Sequence, residues 1–94
     1  MSTTTRLQVS FSAELEQGLA EAVTKLREKV DAVYGDCCEE EKMADLHYLA
    51  HDLIDREMEM LVAADPEVEQ TALVDLREQV RRHVHRLIEK TRKA

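Results

Sequence analysis

Two histidines and a carboxylate follow one another at intervals of four residues near the middle of the chain. On an α-helix, His47, His51 and Asp55 would lie one above the other, because residues four apart share a face. Two imidazoles in this arrangement can hold a transition metal from one side of the helix. The leading interpretation is a solvated histidine pair. The alternative is a metal site, with iron or zinc as the candidate ion, in a bundle that acts as a carrier, a sensor or an oxidase.

Two further ionisable residues fall on apolar stripes. By helical angle, Glu57 lies in the middle of the stripe of its helix, and His83 lies beside Val80 in the stripe of the next. A carboxylate buried there needs a partner. A histidine or arginine on a facing helix, or a metal held between helices, would provide one. The predicted metal ligands are His47, His51, Asp55, Glu57 and His83. No glutamate stands three residues before a histidine in this sequence, so the Glu-x-x-His pattern of di-iron bundles is absent.

Charge is distributed unevenly along the sequence, whose formal net charge is -7. Residues 36–70 contain twelve acidic and two basic residues, whereas residues 71–94 contain three acidic and seven basic ones. Some of the acidic residues would share the outer face of the second helix, and most of the basic ones the polar face of the third. The residues expected to contact a partner are Asp45, Asp52, Asp55, Glu59, Arg77, Arg81 and Arg82.

These two charged faces allow two interpretations. They can dock onto a protein partner of opposite charge, or they can compensate each other within the chain or across a dimer. An acidic chain binds nucleic acid poorly, so a protein partner is expected. The sequence has no glycine-rich phosphate loop, no Ser/His/Asp elbow and no His-Glu-x-x-His motif. We therefore expect a non-enzymatic interaction protein, such as a regulator, an assembly factor or an accessory subunit.

The N-terminal residues carry a strand-like pattern. Residues 6–11 alternate polar and apolar side chains, and Ser12 follows as a helix N-cap. A strand that leads into a capped helix resembles the opening of a ribbon-helix-helix DNA-binding domain. The resemblance implies a DNA-binding regulator whose strands pair across a dimer and place Arg6, Gln8 and Ser10 in the major groove. The predicted first helix is longer than the first helix of that family.

The helix boundaries are set by a few turn-forming residues. Gly35 can end a helix in a left-handed conformation, and Asp36 can cap the next one. Pro66 after Asp65 is typical of the first position of a helix. Because both connections are short, consecutive helices should be antiparallel neighbours in an all-α, up-down-up three-helix bundle. The predicted helices cover residues 13–34, 37–64 and 66–92.

Each predicted helix carries an apolar stripe at spacings of three and four residues. The stripes include Val33 and Met60, whereas other apolar residues lie off them, namely Leu49, Val62, Val74 and Ile88. A second apolar edge is typical of burial against another copy. The helical domain over residues 13–94, which follows an arm over residues 1–12, is therefore expected to form a dimer or a higher oligomer.

Composition and cysteine usage indicate the class of protein. Hydrophobic residues make up 44% of the 94 residues, too many for a disordered acidic tail. No apolar run reaches the roughly 18 residues of a membrane span, and the first residues lack an apolar signal stretch. The adjacent Cys37 and Cys38 are expected as thiols, because a disulfide between neighbours closes a strained ring. The alternatives are a redox-active pair, ligands of a soft metal and a cross-link between two chains. Two such cysteines fit a reducing compartment, and we expect a cytoplasmic protein.

Overall fold

Three helices account for most of the residues described by the computed structural model, which cover 12–93. Helix α1 spans Ala13–Tyr34, α2 spans Glu39–Ala64 and α3 spans Gln70–Lys90. No strand occurs within this described part of the chain. The prediction of an all-α, three-helix fold is confirmed. The predicted strand and the possible DNA-contacting residues Arg6, Gln8 and Ser10 lie outside the described residues.

Helix α1 begins and ends at the residues that the sequence indicated. The Ser12 hydroxyl accepts a hydrogen bond from the backbone N–H of Leu15 at 3.1 Å, which caps the first turn. At the other end, Gly35 has a φ of 70° and donates its backbone N–H to the carbonyl of Asp31 at 2.7 Å. A residue with a side chain rarely adopts this backbone conformation, so glycine is needed to end the helix here.

The turn between α1 and α2 differs from the prediction. Helix α2 begins at Glu39, and Cys38 rather than Asp36 is its N-cap. Cys38 has a φ of 70°, which a right-handed helix does not accommodate, so the helix cannot include it. Cys37 and Cys38 are joined as a disulfide, and the expectation of two thiols is wrong. The bond links adjacent residues and therefore ties no separate elements together.

Helix α3 begins later than the sequence indicated. The Asp65 side chain accepts a hydrogen bond from the N–H of Glu67 at 3.2 Å, and its carbonyl accepts one from Val68 at 3.1 Å. These bonds fold residues 65–68 into a turn in which Pro66 is not helical. The helix consequently starts at Gln70, and it ends at Lys90 instead of residue 92.

A single apolar core lies between the helices. Its buried residues are Leu19, Val23, Val30, Met43, Leu46, Ala50, Ile54, Met58, Leu76, Val80, Val84 and Ile88. Val33 and Met60 are 79% and 61% exposed, so the prediction that they face the core is wrong. Ile88 is buried, so the prediction that it lies on an outer edge is also wrong. The buried residues follow steps of four along α2 and α3, and each such step turns the core line by about 40° around the helix. A straight stripe therefore misses Met58 and Ile88.

The bundle is long and thin, with extents of 54 × 20 × 18 Å. Each helix contacts the other two. Along α2, Glu40 and His47 pair with Arg92 and Glu89, so residue numbers rise in α2 as they fall in α3. Within residues 12–93, no helix is long and apolar enough to cross a membrane. Dimerisation remains a prediction.

Candidate functional site

A histidine and glutamate cluster joins α2 to α3. His47 from α2 meets His85 and Glu89 from α3, and one ligand atom from each lies within 4.8 Å of the other two. The His47 Nε2 and Glu89 Oε2 atoms are 2.8 Å apart, which is hydrogen-bonding distance. The rings of His47 and His85 have centroids 4.6 Å apart. Two imidazole nitrogens and a carboxylate oxygen are thus brought together from two helices.

The cluster borders a shallow groove between the same two helices, here called the histidine groove. The side chains of His47 and Glu89 are 32% and 36% exposed, so solvent reaches both. Core residues form the inner part of the groove, and His51 and Arg81 also line it. The lining residues are His47, Ala50, His51, Ile54, Arg81, Val84, His85 and Ile88. The groove therefore offers nitrogen donors beside an apolar base.

The predicted metal ligands are only partly brought together. His47 and His51 line the same groove, whereas Asp55 accepts a hydrogen bond from Arg77 at 2.5 Å further along α2. Glu57 is half-buried. His83 is half-buried and borders a different groove, formed with Glu16, Gln79, Arg82 and Arg86. The structure thus groups His47 with two residues that the sequence analysis missed. The sequence did offer one indication of this pair, since His85 and Glu89 are four residues apart and therefore share a face of α3.

Glu89 is held by cationic and polar neighbours. Its hydrogen bond with His47, and then that with Arg92, lowers the pKa of the Glu89 carboxyl. Arg92 donates from Nε to Glu89 Oε1 at 3.1 Å, whereas His47 lies against Oε2. The two carboxylate oxygens therefore have separate partners, and Glu89 is ionised at neutral pH.

All three predicted partner-binding arginines pair within the bundle. Arg81 donates to Glu78, and Arg82 Nε lies 3.3 Å from the same carboxylate. Asp45 accepts a hydrogen bond from the Tyr34 hydroxyl at 2.7 Å, which raises the pKa of that tyrosine. Together with the Arg77 pair, these contacts are typical of internal charge compensation. The acidic residues Asp52 and Glu59 are exposed on α2.

A buried ionic cluster near the α1–α2 turn was not predicted. Arg27 is 7% exposed and donates two hydrogen bonds to Glu39, both at 2.8 Å. Lys42 is 4% exposed, donates to the carbonyl of Gly35 at 2.6 Å, and lies 3.0 Å from Asp31. A buried cation requires such partners. The signal was Arg27 on the apolar stripe of α1, between Val23 and Val30.

The same cluster holds Lys93, three residues beyond the end of α3. The backbone N–H of Lys93 donates to Glu39 at 2.9 Å, and its Nζ lies 3.7 Å from Asp31. Arg27 and then Lys93 lower the pKa of Glu39 from 4.5 to about 2. Lys42 and then Arg27 lower the pKa of Asp31. The charges in this cluster thus fasten all three helices at one end of the bundle.

A second open groove, here called the α1–α2 groove, runs between the first two helices. Its apolar residues are Ala22, Leu26, Leu49 and Leu53, all of them half-buried. Its charged residues are Lys25, Lys29, Asp52 and Arg56. This groove combines an apolar floor with charges of both signs.

Comparison of this chain with family models, with curated proteins and with solved structures gives no match in any of the three. The function is therefore argued from the grooves and charges described above.

Proposed function

We propose that the protein is a small helical interaction protein that binds a second copy of itself through the α1–α2 groove. The observation that carries this proposal is the line of half-buried leucines, Leu26, Leu49 and Leu53, left open between two helices. Apolar side chains in an open groove gain free energy when a partner removes them from water. A regulator, assembly factor or accessory subunit would use such a surface.

The charges at the groove favour a second copy as the partner. In a twofold dimer, each surface meets its own equivalent, so it must be complementary to itself. Asp52 lies with Lys25, Lys29 and Arg56 around the same leucines. A twofold arrangement can place the carboxylate of each copy beside the cations of the other. The basic face of α3 is a weaker docking surface, because Arg77, Arg81 and Arg82 already have partners in the chain.

The bundle offers enough surface for this interaction. A stable protein interface buries about 800 Å² on each partner. The long side of the molecule measures 54 × 20 Å, and the groove runs between two of its three helices. A dimer of modest affinity is therefore sterically reasonable without rearrangement of the core.

The oligomeric state tests the proposal directly. Native mass spectrometry and sedimentation equilibrium should show a dimer for the natural sequence. Leu49→Lys should raise the dissociation constant at least tenfold, about 1.4 kcal/mol, since it places a charge in the groove. Val74→Lys is the matched control: the sequence placed Val74 on the same apolar edge as Leu49, but Val74 lies 64% exposed on α3, outside the proposed groove.

A charge-reversal series separates docking from simple loss of folding. Asp52→Lys makes all the groove charges positive and should weaken the dimer. Adding Lys25→Asp and Lys29→Asp restores charges of both signs in the groove and should recover the dimer. The leucines are unchanged throughout this series, so only the charges can account for the difference. A natural chain that stays monomeric at high micromolar concentration would refute self-association, as would a triple variant no tighter than Asp52→Lys alone.

A further inference from the structure

We propose that His47, His85 and Glu89 form a binding site for a divalent transition metal, with zinc as the expected ion. Their three ligand atoms already lie within 4.8 Å of one another. In a tetrahedral zinc site, bonds of about 2.0–2.2 Å place neighbouring ligand atoms roughly 3.4 Å apart. The 2.8 Å approach of His47 to Glu89 must therefore widen slightly, and the longest separation must shorten. The side chains of His47 and Glu89 are partly exposed, which leaves them room to rotate.

The chemistry of the donors selects the class of metal. Imidazole nitrogens suit zinc and its transition-metal neighbours, whereas magnesium and calcium prefer sites built from oxygen. Two histidines and one glutamate form the ligand set of zinc sites that keep a fourth position for water. The cluster borders an open groove and solvent reaches His47 and Glu89, so a water could take the fourth position. The site is therefore of the open type, with one exchangeable coordination position.

Arg92 orients the carboxylate ligand Glu89 without being a ligand itself. Its guanidinium holds Glu89 through Oε1, which leaves Oε2 toward His47. Metal-binding carboxylates are commonly oriented in this way by a hydrogen bond from outside the ligand set. Arg92 also contacts Glu40 of α2, so its side chain is anchored on both helices. We infer that Arg92 is a positioning residue for the carboxylate ligand.

Metal titration of the purified, tag-free chain tests the assignment. After treatment with a chelator, isothermal calorimetry with zinc chloride should show one ion bound per chain. Cobalt(II) should give the intense visible absorption of a tetrahedral site. Arg92→Gln should weaken zinc binding about 10- to 100-fold, the usual cost of losing an orienting partner. His85→Ala and Glu89→Gln should each weaken it further and remove the cobalt signal.

Two other histidines serve as matched controls. His83→Ala removes an imidazole that lies on α3, like His85, but borders a different groove. His51→Ala removes an imidazole that lines the histidine groove but is not a proposed ligand. Both variants should bind zinc with nearly natural affinity. Equal losses for His51→Ala and His85→Ala would overturn the ligand set, and a chain that binds neither zinc nor cobalt would overturn the site. Circular dichroism of every variant shows whether the helices persist.

Discussion

A matched pair of methionines on α2 gives the sharpest test of the packing. Met58 is 8% exposed and Met60 is 61% exposed, although the straight apolar stripe of the sequence includes Met60. Burying a methionine side chain contributes about 1.5–3 kcal/mol. Since Met58 is almost fully covered, its truncation to alanine should cost about 2 kcal/mol from transfer alone, and the cavity adds to this. Met60→Ala should change the unfolding free energy by less than about 0.5 kcal/mol.

Urea unfolding followed by far-ultraviolet circular dichroism measures both variants. The expected total stability of a 94-residue domain is about 5–14 kcal/mol, so the loss from Met58→Ala is readily resolved. The slope of free energy against urea should stay constant if only the native packing changes. Equal losses for the two variants, or a larger loss for Met60→Ala, would show that α2 is rotated and would refute the core as described.

Two further predictions concern the ionic cluster and two glycines, one within α1 and one directly after it. Arg27 and Lys93 lower the pKa of Glu39 from 4.5 to about 2, so the ionised carboxylate stabilises the fold above pH 4.5 and this is lost as the pH falls toward 2. Glu39→Gln should therefore flatten the decline in urea stability over that range, and an unchanged decline would contradict the ion pair. Gly18→Ala should stabilise the chain by about 0.5–1 kcal/mol, because an added Cβ meets nothing in mid-helix. Gly35→Ala should destabilise it by about 1–3 kcal/mol, because its φ is 70°; equal thermal shifts for the two alanine variants would refute this contrast.

The number of helices and their approximate ends could be predicted because they depend on local signals. Ser12 and Gly35 act through bonds to residues only a few positions away, and a sequence displays such spacings directly. The start of α2 could not be predicted from Asp36, because the left-handed backbone at Cys38 moved the helix start. Pro66 was likewise ambiguous, since the Asp65 turn competes with a first helical turn.

The orientation of the core was less accessible than the presence of the helices. A straight stripe assumes that the buried face keeps one direction along the helix, whereas the buried residues of α2 and α3 turn gradually around their helices. The two descriptions agree near Leu46. Three steps of four residues later, at Met58, the core line has turned by about 120° around α2, so Met58 is buried and Met60 is exposed. The sequence showed Arg27 as a charged residue on an apolar stripe. Its partner Glu39 could not be predicted, because the two are separated by a turn whose geometry the sequence does not give.

The candidate metal site shows the same limit. His47 could be singled out by its spacing from His51, because both lie on one helix. The match of His47 with His85 and Glu89 depends on the register between α2 and α3, which no single helix encodes. The buried aliphatic residues set that register, and the histidines follow it. Whether the cluster binds zinc remains a prediction of its geometry.

The slender outline of the bundle has a practical consequence for measuring its mass. A particle with extents of 54 × 20 × 18 Å diffuses more slowly than a sphere of equal volume. On a sizing column calibrated with round proteins, one copy would elute early and could be mistaken for two. Light scattering measured during elution gives the mass independently of the shape. It is therefore the appropriate method for this molecule.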